Sequence, residues 1–79
     1  MRTNVIFKSG VNLVCDDVKV YTNSSFLYKH DLTSGTCIEL MNESLKNGWT
    51  CTHENNSMHP NACRIQVSND QIERFTAVM

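Results

Sequence analysis

Glycine and proline are scarce in this chain of 79 residues, and charge of either sign is never gathered into a block. The three glycines stand alone at 10, 35 and 48, and Pro60 is the single proline. No glycine-rich loop is therefore present to cradle a phosphate, and no flexible or proline-rich linker divides the chain. Seven Lys and Arg against eight Asp and Glu leave a formal charge of −1. The basic stripe of a nucleic-acid binder is missing, as is the acidic excess of a nucleic-acid mimic, so a nucleic-acid partner is not expected. Long apolar runs are missing too. The opening Val5-Ile6-Phe7 stops at Lys8-Ser9-Gly10, too short for a signal-peptide core or a membrane span, and the expectation is a cytoplasmic chain with no membrane partner.

What is present is the composition of a globular domain, 41% hydrophobic and 19% charged. A chain this short buries only about 60–65% of the surface exposed when unfolded, which supports one core and no large cleft, so a single domain over 1–79 is expected. Four cysteines, Cys15, Cys37, Cys51 and Cys63, allow two disulfides in three pairings; without an export signal, free thiols are the expected state. Three Asn-x-Ser sequons start at Asn23, Asn42 and Asn55, but a chain so rich in Asn and Ser produces such triplets by chance, and they carry little weight.

Apolar residues alternate through the first half, the pattern of half-buried strands. Val5 and Phe7 share one face of a strand over 3–8, Ser9-Gly10 turns the chain, and Val11, Leu13 and Cys15 share a face of the next strand. Asp16-Asp17 interrupts the pattern before Val18, Val20 and Thr22 resume it. Asn23-Ser24-Ser25 has turn chemistry and precedes a strand over 26–30. The middle has two readings. Thr36 with Glu39 fits a capping box, Ile38, Met41 and Leu45 lie at helical spacing, and Asn47-Gly48 would end a helix over 37–46. The same segment also alternates, and Asn47-Gly48 is a strong hairpin turn; the helix is the preferred reading. A strand over 49–53, a long polar loop from His53 to Asn61, a strand over 63–68 and a terminal segment carrying Ile72, Phe75 and Val78, strand or short helix, complete the chain. The fold class this implies is mostly β (α+β): a small curved antiparallel sheet or partly open barrel of five to six strands with one short helix.

Chemistry-bearing residues concentrate around the long loop. Cys51, His53, His59 and Cys63 are four potential zinc donors within thirteen residues, yet the spacing matches no common zinc module. The plainer reading has the cysteines as small core residues and the histidines in solvent, so no cofactor is expected. A Cys51–Cys63 disulfide would close the same loop. Cysteine catalysis lacks an orienting third group, and Asp16-Asp17 with Glu39 or Glu54 reads as solvated charge rather than a carboxylate pair. No catalytic set emerges. Exposed Tyr and Trp are effective binding anchors: Tyr21 points away from the Val18 and Val20 face, and Trp49 and Tyr28 stand beside turns, although the plainer reading has Trp49, Tyr28 and Phe26 completing the core. The candidate partner-binding set is therefore Tyr21, Trp49, His53, Glu54, Asn55, Asn56 and His59.

The opening Val5-Ile6-Phe7-Lys8-Ser9-Gly10 and the close Arg64-Ile65-Gln66-Val67-Ser68-Asn69-Asp70-Gln71-Ile72 resemble the style of short uncharacterised phage and prophage proteins. The close, a strand, a short polar turn and another apolar segment, is also similar to Sm-like small barrels, with no RNA-binding residue carried over. The phage resemblance implies a non-enzymatic protein acting by contact in the host cytoplasm, such as an inhibitor of a host enzyme or defence system, with a host protein as partner and self-association into a homo-oligomer. Two other classes stand beside it: an oligomer that sequesters a small molecule such as a nucleotide, and a zinc-stabilised module.

Overall fold

The alternating stretches form strands in the computed structural model, which describes residues 2–78. In chain order these are β1 (Thr3–Phe7), β2 (Asn12–Cys15), β3 (Asp17–Val20), β4 (Ser24–Lys29), helix α1 (Ser34–Asn47), β5 (Thr50–Glu54), β6 (Ala62–Ser68) and, after a 3-10 turn at Asn69–Gln71, β7 (Ile72–Ala77). Every pairing is antiparallel. The strands make a three-stranded sheet in the order β2-β1-β7 and a four-stranded sheet in the order β3-β4-β6-β5. The architecture is the mostly β, α+β one expected. The described residues form seven strands rather than five or six, because the terminal segment, whose spacing suits strand or helix, pairs with β1 as β7.

Two corners join the sheets. β2 and β3 lie on either side of Asp16, so one extended run leaves the first sheet and enters the second, as strands do at the corners of packed sheets. Asp16 holds the bend with both of its polar ends: its backbone N–H donates to the Tyr28 carbonyl at 2.8 Å, and its Oδ2 accepts from the His30 backbone N–H at 2.8 Å. The other corner is the 3-10 turn between β6 and β7, where Ser68 Oγ accepts from the Asp70 N–H.

The helix reading of the middle segment is the observed one, with its boundaries moved. Thr33, not Thr36, is the N-cap: its Oγ1 accepts from the Thr36 N–H at 3.1 Å, so the Thr36 and Glu39 pair lies one turn inside the helix. Gly48 ends the helix at φ 76°, a left-handed conformation that glycine adopts without Cβ strain, and Trp49 N–H closes the end on the Ser44 carbonyl at 2.8 Å. The buried face also differs from the expected one. Cys37, Leu40 and Ser44 face the core, while Ile38 and Leu45 are 59% and 79% exposed. Helix α1 packs on β5 and β6, and small residues at 37 and 44 permit a close approach. Ser44 is buried there without penalty because its hydroxyl donates to the Leu40 carbonyl at 2.7 Å.

The core joins Val5, Phe7 and Cys15 of the first sheet to Leu27, Cys63, Ile65 and Val67 of the second. Trp49 closes it. Only 6% exposed, its indole stacks on Phe7 with centroids 4.5 Å apart and 25° between planes, and Nε1 donates to Gln71 Oε1 at 2.9 Å. Truncating a buried tryptophan costs about 3–5 kcal/mol, against a total of roughly 0.05–0.15 kcal/mol per residue in domains of this kind. Trp49→Ala should therefore lower the urea midpoint severely, with part of the population unfolded in buffer. A loss under about 1 kcal/mol would show that the Phe7 stack does not hold the core.

Candidate functional site

Residues of β4 alternate between core and solvent, and the rings are on the solvent side. Ser25 and Leu27 are fully buried, while Phe26 and Tyr28 face outward and are half-buried. Strand register supplies their neighbours on that outer face: Lys19 and Gln66 flank Phe26, and Asp17 and Arg64 flank Tyr28. Tyr21 meets Phe26 edge-on at 5.5 Å, His30 follows Tyr28 at 6.3 Å, and His59 stacks on His30 at 3.9 Å with 16° between planes. The result is a row of five rings, Tyr21, Phe26, Tyr28, His30 and His59. Lys19 Nζ sits 5.6 Å from the Tyr28 centroid and the Arg64 guanidinium 5.8 Å from that of Phe26, both within cation-π range. Arg64 also pairs with Glu54 at 3.2 Å.

The two histidines reach this face by different routes. His30 follows β4 and is held at both ends, its backbone by Asp16 and its Nε2 by Asp17 Oδ2 at 2.8 Å. His59 comes from the loop after β5, which Asn56 folds back: Asn56 Oδ1 accepts from the Met58 and His59 N–H groups at 2.9 and 2.8 Å, the local bonding by which Asn makes turns. Nδ1 of each imidazole is buried without a hydrogen-bond partner among the described residues. A shallow pocket of about 190 Å³ opens between Asp17, Lys19, Tyr28, His30, Glu54 and His59. The hydrogen bond from His30 holds the Asp17 carboxyl below its ordinary 3.8, opposed by slight burial.

Of the residues singled out in the sequence, Tyr21, Glu54 and His59 meet on this face, and Asn56 shapes the loop that carries His59. Asn55 is exposed on that loop and His53 is exposed on β5; His53 is the cross-strand partner of Cys63, which places it on the opposite face of the strand from Glu54 and Thr52. Trp49 lies apart in the core and lines a separate concavity of about 350 Å³ with Lys8, Ser9, Asn47, Asp70 and Gln71. Phe26, Tyr28, His30, Lys19, Asp17 and Arg64 are the members that sequence reasoning misses. Arg64, Gln66 and Ser68 do form a polar face of β6 by alternation, and pairing them with β4 puts Phe26 and Tyr28 on the same side. That pairing is a property of register.

The four potential zinc donors are divided. His59 stacks on His30, while Cys51 and Cys63 face the core side of their strands, and among the described residues no group of three or more His, Cys, Asp or Glu side chains is assembled to hold a metal ion. The register sets Cys51 opposite Ile65 and Cys63 opposite His53, so the two cysteines are diagonal rather than facing, and all four thiols are free. Burial pushes the Cys15 thiol up to about 12, against the lowering charge of Lys29. Burial likewise pushes Cys63 up to about 12, aided by the neighbouring Cys37 and Cys51 thiols.

The chain matches no protein-family model, no curated protein and no solved structure. What the face binds is therefore a question for its own chemistry.

Two measurements follow from these ionisations. A folded-state pKa depressed at Asp17 means that its contribution to stability is present above the unfolded value and is lost as pH falls through the folded one; at 63% side-chain exposure it is a small, solvent-screened contribution. In NMR titration the Asp17 carboxyl should therefore titrate below 3.8, and His30→Ala should bring it back toward that value; an unshifted Asp17 in the unaltered protein would show that the His30 bond does not form. The thiolate is the reactive form of cysteine, so iodoacetamide at about pH 8 should leave Cys15 and Cys63 unmodified in native protein and label both in urea, read by peptide mass spectrometry. Rapid native labelling of Cys63 would contradict its burial.

Proposed function

We propose that this protein is a non-enzymatic binding module that engages a protein partner through the outer face of its four-stranded sheet. The observation behind the proposal is the row of five rings from Tyr21 to His59 on a surface where alternation ordinarily places polar side chains. Aromatic anchors flanked by charge are the usual core of protein interfaces, and Tyr and Arg are among the side chains that dominate their energetics. Tyr28 is suited to that role because it stands at the middle of the row with Lys19 5.6 Å from its ring and Asp17 and Arg64 on the neighbouring strands beside it.

The charges favour protein over nucleic acid. Lys19 and Arg64 are matched by Asp17 and Glu54 on the same face, and Arg64 is already paired with Glu54 at 3.2 Å. A phosphate backbone is drawn to uncompensated positive charge, whereas a protein surface of mixed sign can meet all four residues. In the setting that the phage resemblance implies, the partner is a host enzyme or defence protein, and occupation of its surface is the inhibitory act.

Immobilised protein challenged with bacterial lysate provides the test, provided that capture is read across variants. A specific partner should be retained by the unaltered protein and by Glu73→Ala on β7, and lost on Tyr28→Ala and on Tyr21→Ala, with affinity for the purified partner falling about 30-fold, the size of a 2 kcal/mol hot spot. Circular dichroism of each variant separates loss of binding from loss of fold. A partner held equally well by Tyr28→Ala with Arg64→Ala would place its binding site elsewhere and overturn the proposal.

A further inference from the structure

β7 ends the three-stranded sheet with an edge that pairs with β1 alone, and every residue from Glu73 to Ala77 is exposed. The Val78 N–H donates to the Arg2 carbonyl at 3.1 Å, and the direction of backbone bonding alternates along a strand of an antiparallel ladder. Arg74, Thr76 and Val78 therefore turn their backbone groups toward β1. Phe75 and Ala77 turn theirs outward, where they bond to no described residue. Natural edge strands are kept short, or carry Lys or Pro, against pairing with another chain. β7 has neither residue. With six residues against four in β2 and β3 and five in β5, it is also the longest edge strand among the described residues.

We propose that this edge is a self-association surface on which β7 of a second copy of the chain adds antiparallel, joining two three-stranded sheets into one continuous sheet. The side chains select that occupant and its register. Residues directly opposite in an antiparallel pair share a face, so a two-fold axis relating two copies of one strand passes through a residue. Through Glu73 the axis would set carboxylate against carboxylate, and through Arg74 guanidinium against guanidinium, pairs that destabilise a sheet. Through Thr76 the ladder shared within β7 shortens. Through Phe75 the two strands overlap from Glu73 to Ala77, with Arg74 facing Thr76 and Glu73 facing Ala77 of the second copy, and no like charges stand opposite. Phe75 then exchanges backbone bonds with its own equivalent through the groups that already point outward. The two rings, each 39% exposed in the single chain, meet on the face of the fully buried Val5, and aromatic cross-strand pairs are favourable. This register asks for a ring opposite Phe75 and for small uncharged residues opposite Glu73 and Arg74; β7 itself supplies them as Phe75, Ala77 and Thr76.

The surface is small. Specific, stable interfaces bury about 800 Å² per partner, more than one short strand supplies, so the pairing is weak and concentration-dependent, with Kd on the order of 100 μM. Phe26 and Tyr28 belong to the four-stranded sheet and β7 to the other. Pairing through β7 therefore leaves the ring row open, and the inference does not rest on the proposed partner-binding role.

Sedimentation velocity on the full chain over a concentration series from about 10 μM to about 1 mM tests the proposal around the expected Kd. The weight-average mass should rise from 9.0 kDa toward twice that value. Over the same series, amide hydrogen exchange at Phe75 and Ala77 in the unaltered protein should slow roughly fourfold, in step with the fraction paired. Ala77→Pro removes an N–H that bonds to nothing within the described chain, a place where an edge strand tolerates proline, and should raise Kd more than about tenfold. Phe75→Lys should do the same by setting two ammonium groups at the axis. Circular dichroism of both variants checks that the fold is kept. A mass that stays at 9.0 kDa through the highest concentration would overturn the proposal, as would a dimer indifferent to both folded variants. Slowed exchange confined to β2, β3 or β5, with Phe75 and Ala77 unchanged, would put the contact on another edge and overturn it too.

Discussion

Everything on the outer face depends on the bend at Asp16. A strand that continued straight from β2 would stay in the first sheet; two hydrogen bonds from Asp16, to the Tyr28 carbonyl and from the His30 N–H, make it change sheets. The next residue extends the same constraint to a side chain, because Asp17 Oδ2 takes the Nε2 of His30 at 2.8 Å. Adjacent carboxylates thus fix the backbone and the ring of one histidine. Lys29 adds a tie from the other direction, its Nζ donating to the Val14 carbonyl across the corner at 2.7 Å. The Asp17–His30 contact is open to solvent on the Asp17 side and weak in free energy, but its consequence is positional: with His30 fixed, His59 has a flat surface to stack on, and the loop after β5 acquires a defined place.

The second corner does for Tyr21 what the first does for His30. Asn69, the first residue of the turn between β6 and β7, donates from Nδ2 to the Tyr21 carbonyl at 2.7 Å, accepts from Ser25 Oγ at 2.5 Å, and sends its backbone N–H to the Asn23 carbonyl at 3.0 Å. It ties the tip of the β3–β4 connection to the junction of the sheets and satisfies the fully buried Ser25 in the same set of contacts. Tyr21, at one end of the ring row, and His30, next to the other, are therefore each anchored at a place where the chain passes from one sheet to the other. Rings placed in this way keep their arrangement without a partner, which lowers the ordering cost of binding one.

Local rules recovered the elements well and their outward directions poorly. The strands, the turn at Gly10, the helix and its stop at Gly48 could all be read from alternation, spacing and glycine, because each is decided within a few neighbouring residues. Faces are decided by partners far along the chain. Ile38, Met41 and Leu45 make the more apolar side of α1, but docking on β5 and β6 favours the side whose small Cys37 and Ser44 permit close approach. In β4, Phe26 and Tyr28 look more core-like than Ser25, yet Ser25 is buried because Asn69, 44 residues later, is there to accept its hydroxyl. Tyr21, Glu54 and His59 were legible as surface candidates from their turns and loop; His30 was not, since nothing near it in the chain signals that Asp17 and His59 will meet it.

These inversions have a common physical origin. A core built at this size has few positions to fill, and here Cys15, Cys37, Cys63, Ser25 and Ser44 occupy several of them. Small residues inside let the two sheets and the helix come close together, and they leave larger apolar groups, Phe26 and Tyr28 on the sheet and Ile38, Met41 and Leu45 on the helix, outside a core that is already closed by Trp49. Exposed apolar surface in a small protein is ordinarily a solubility liability. Its distribution here limits that liability on the sheet, where Lys19, Asp17 and Arg64 stand beside the rings. Charges beside an apolar surface also restrict which molecules can cover it. The composition of the core and the selectivity of the surface are in this sense one property, since the side chains kept out of the interior are those available for contact.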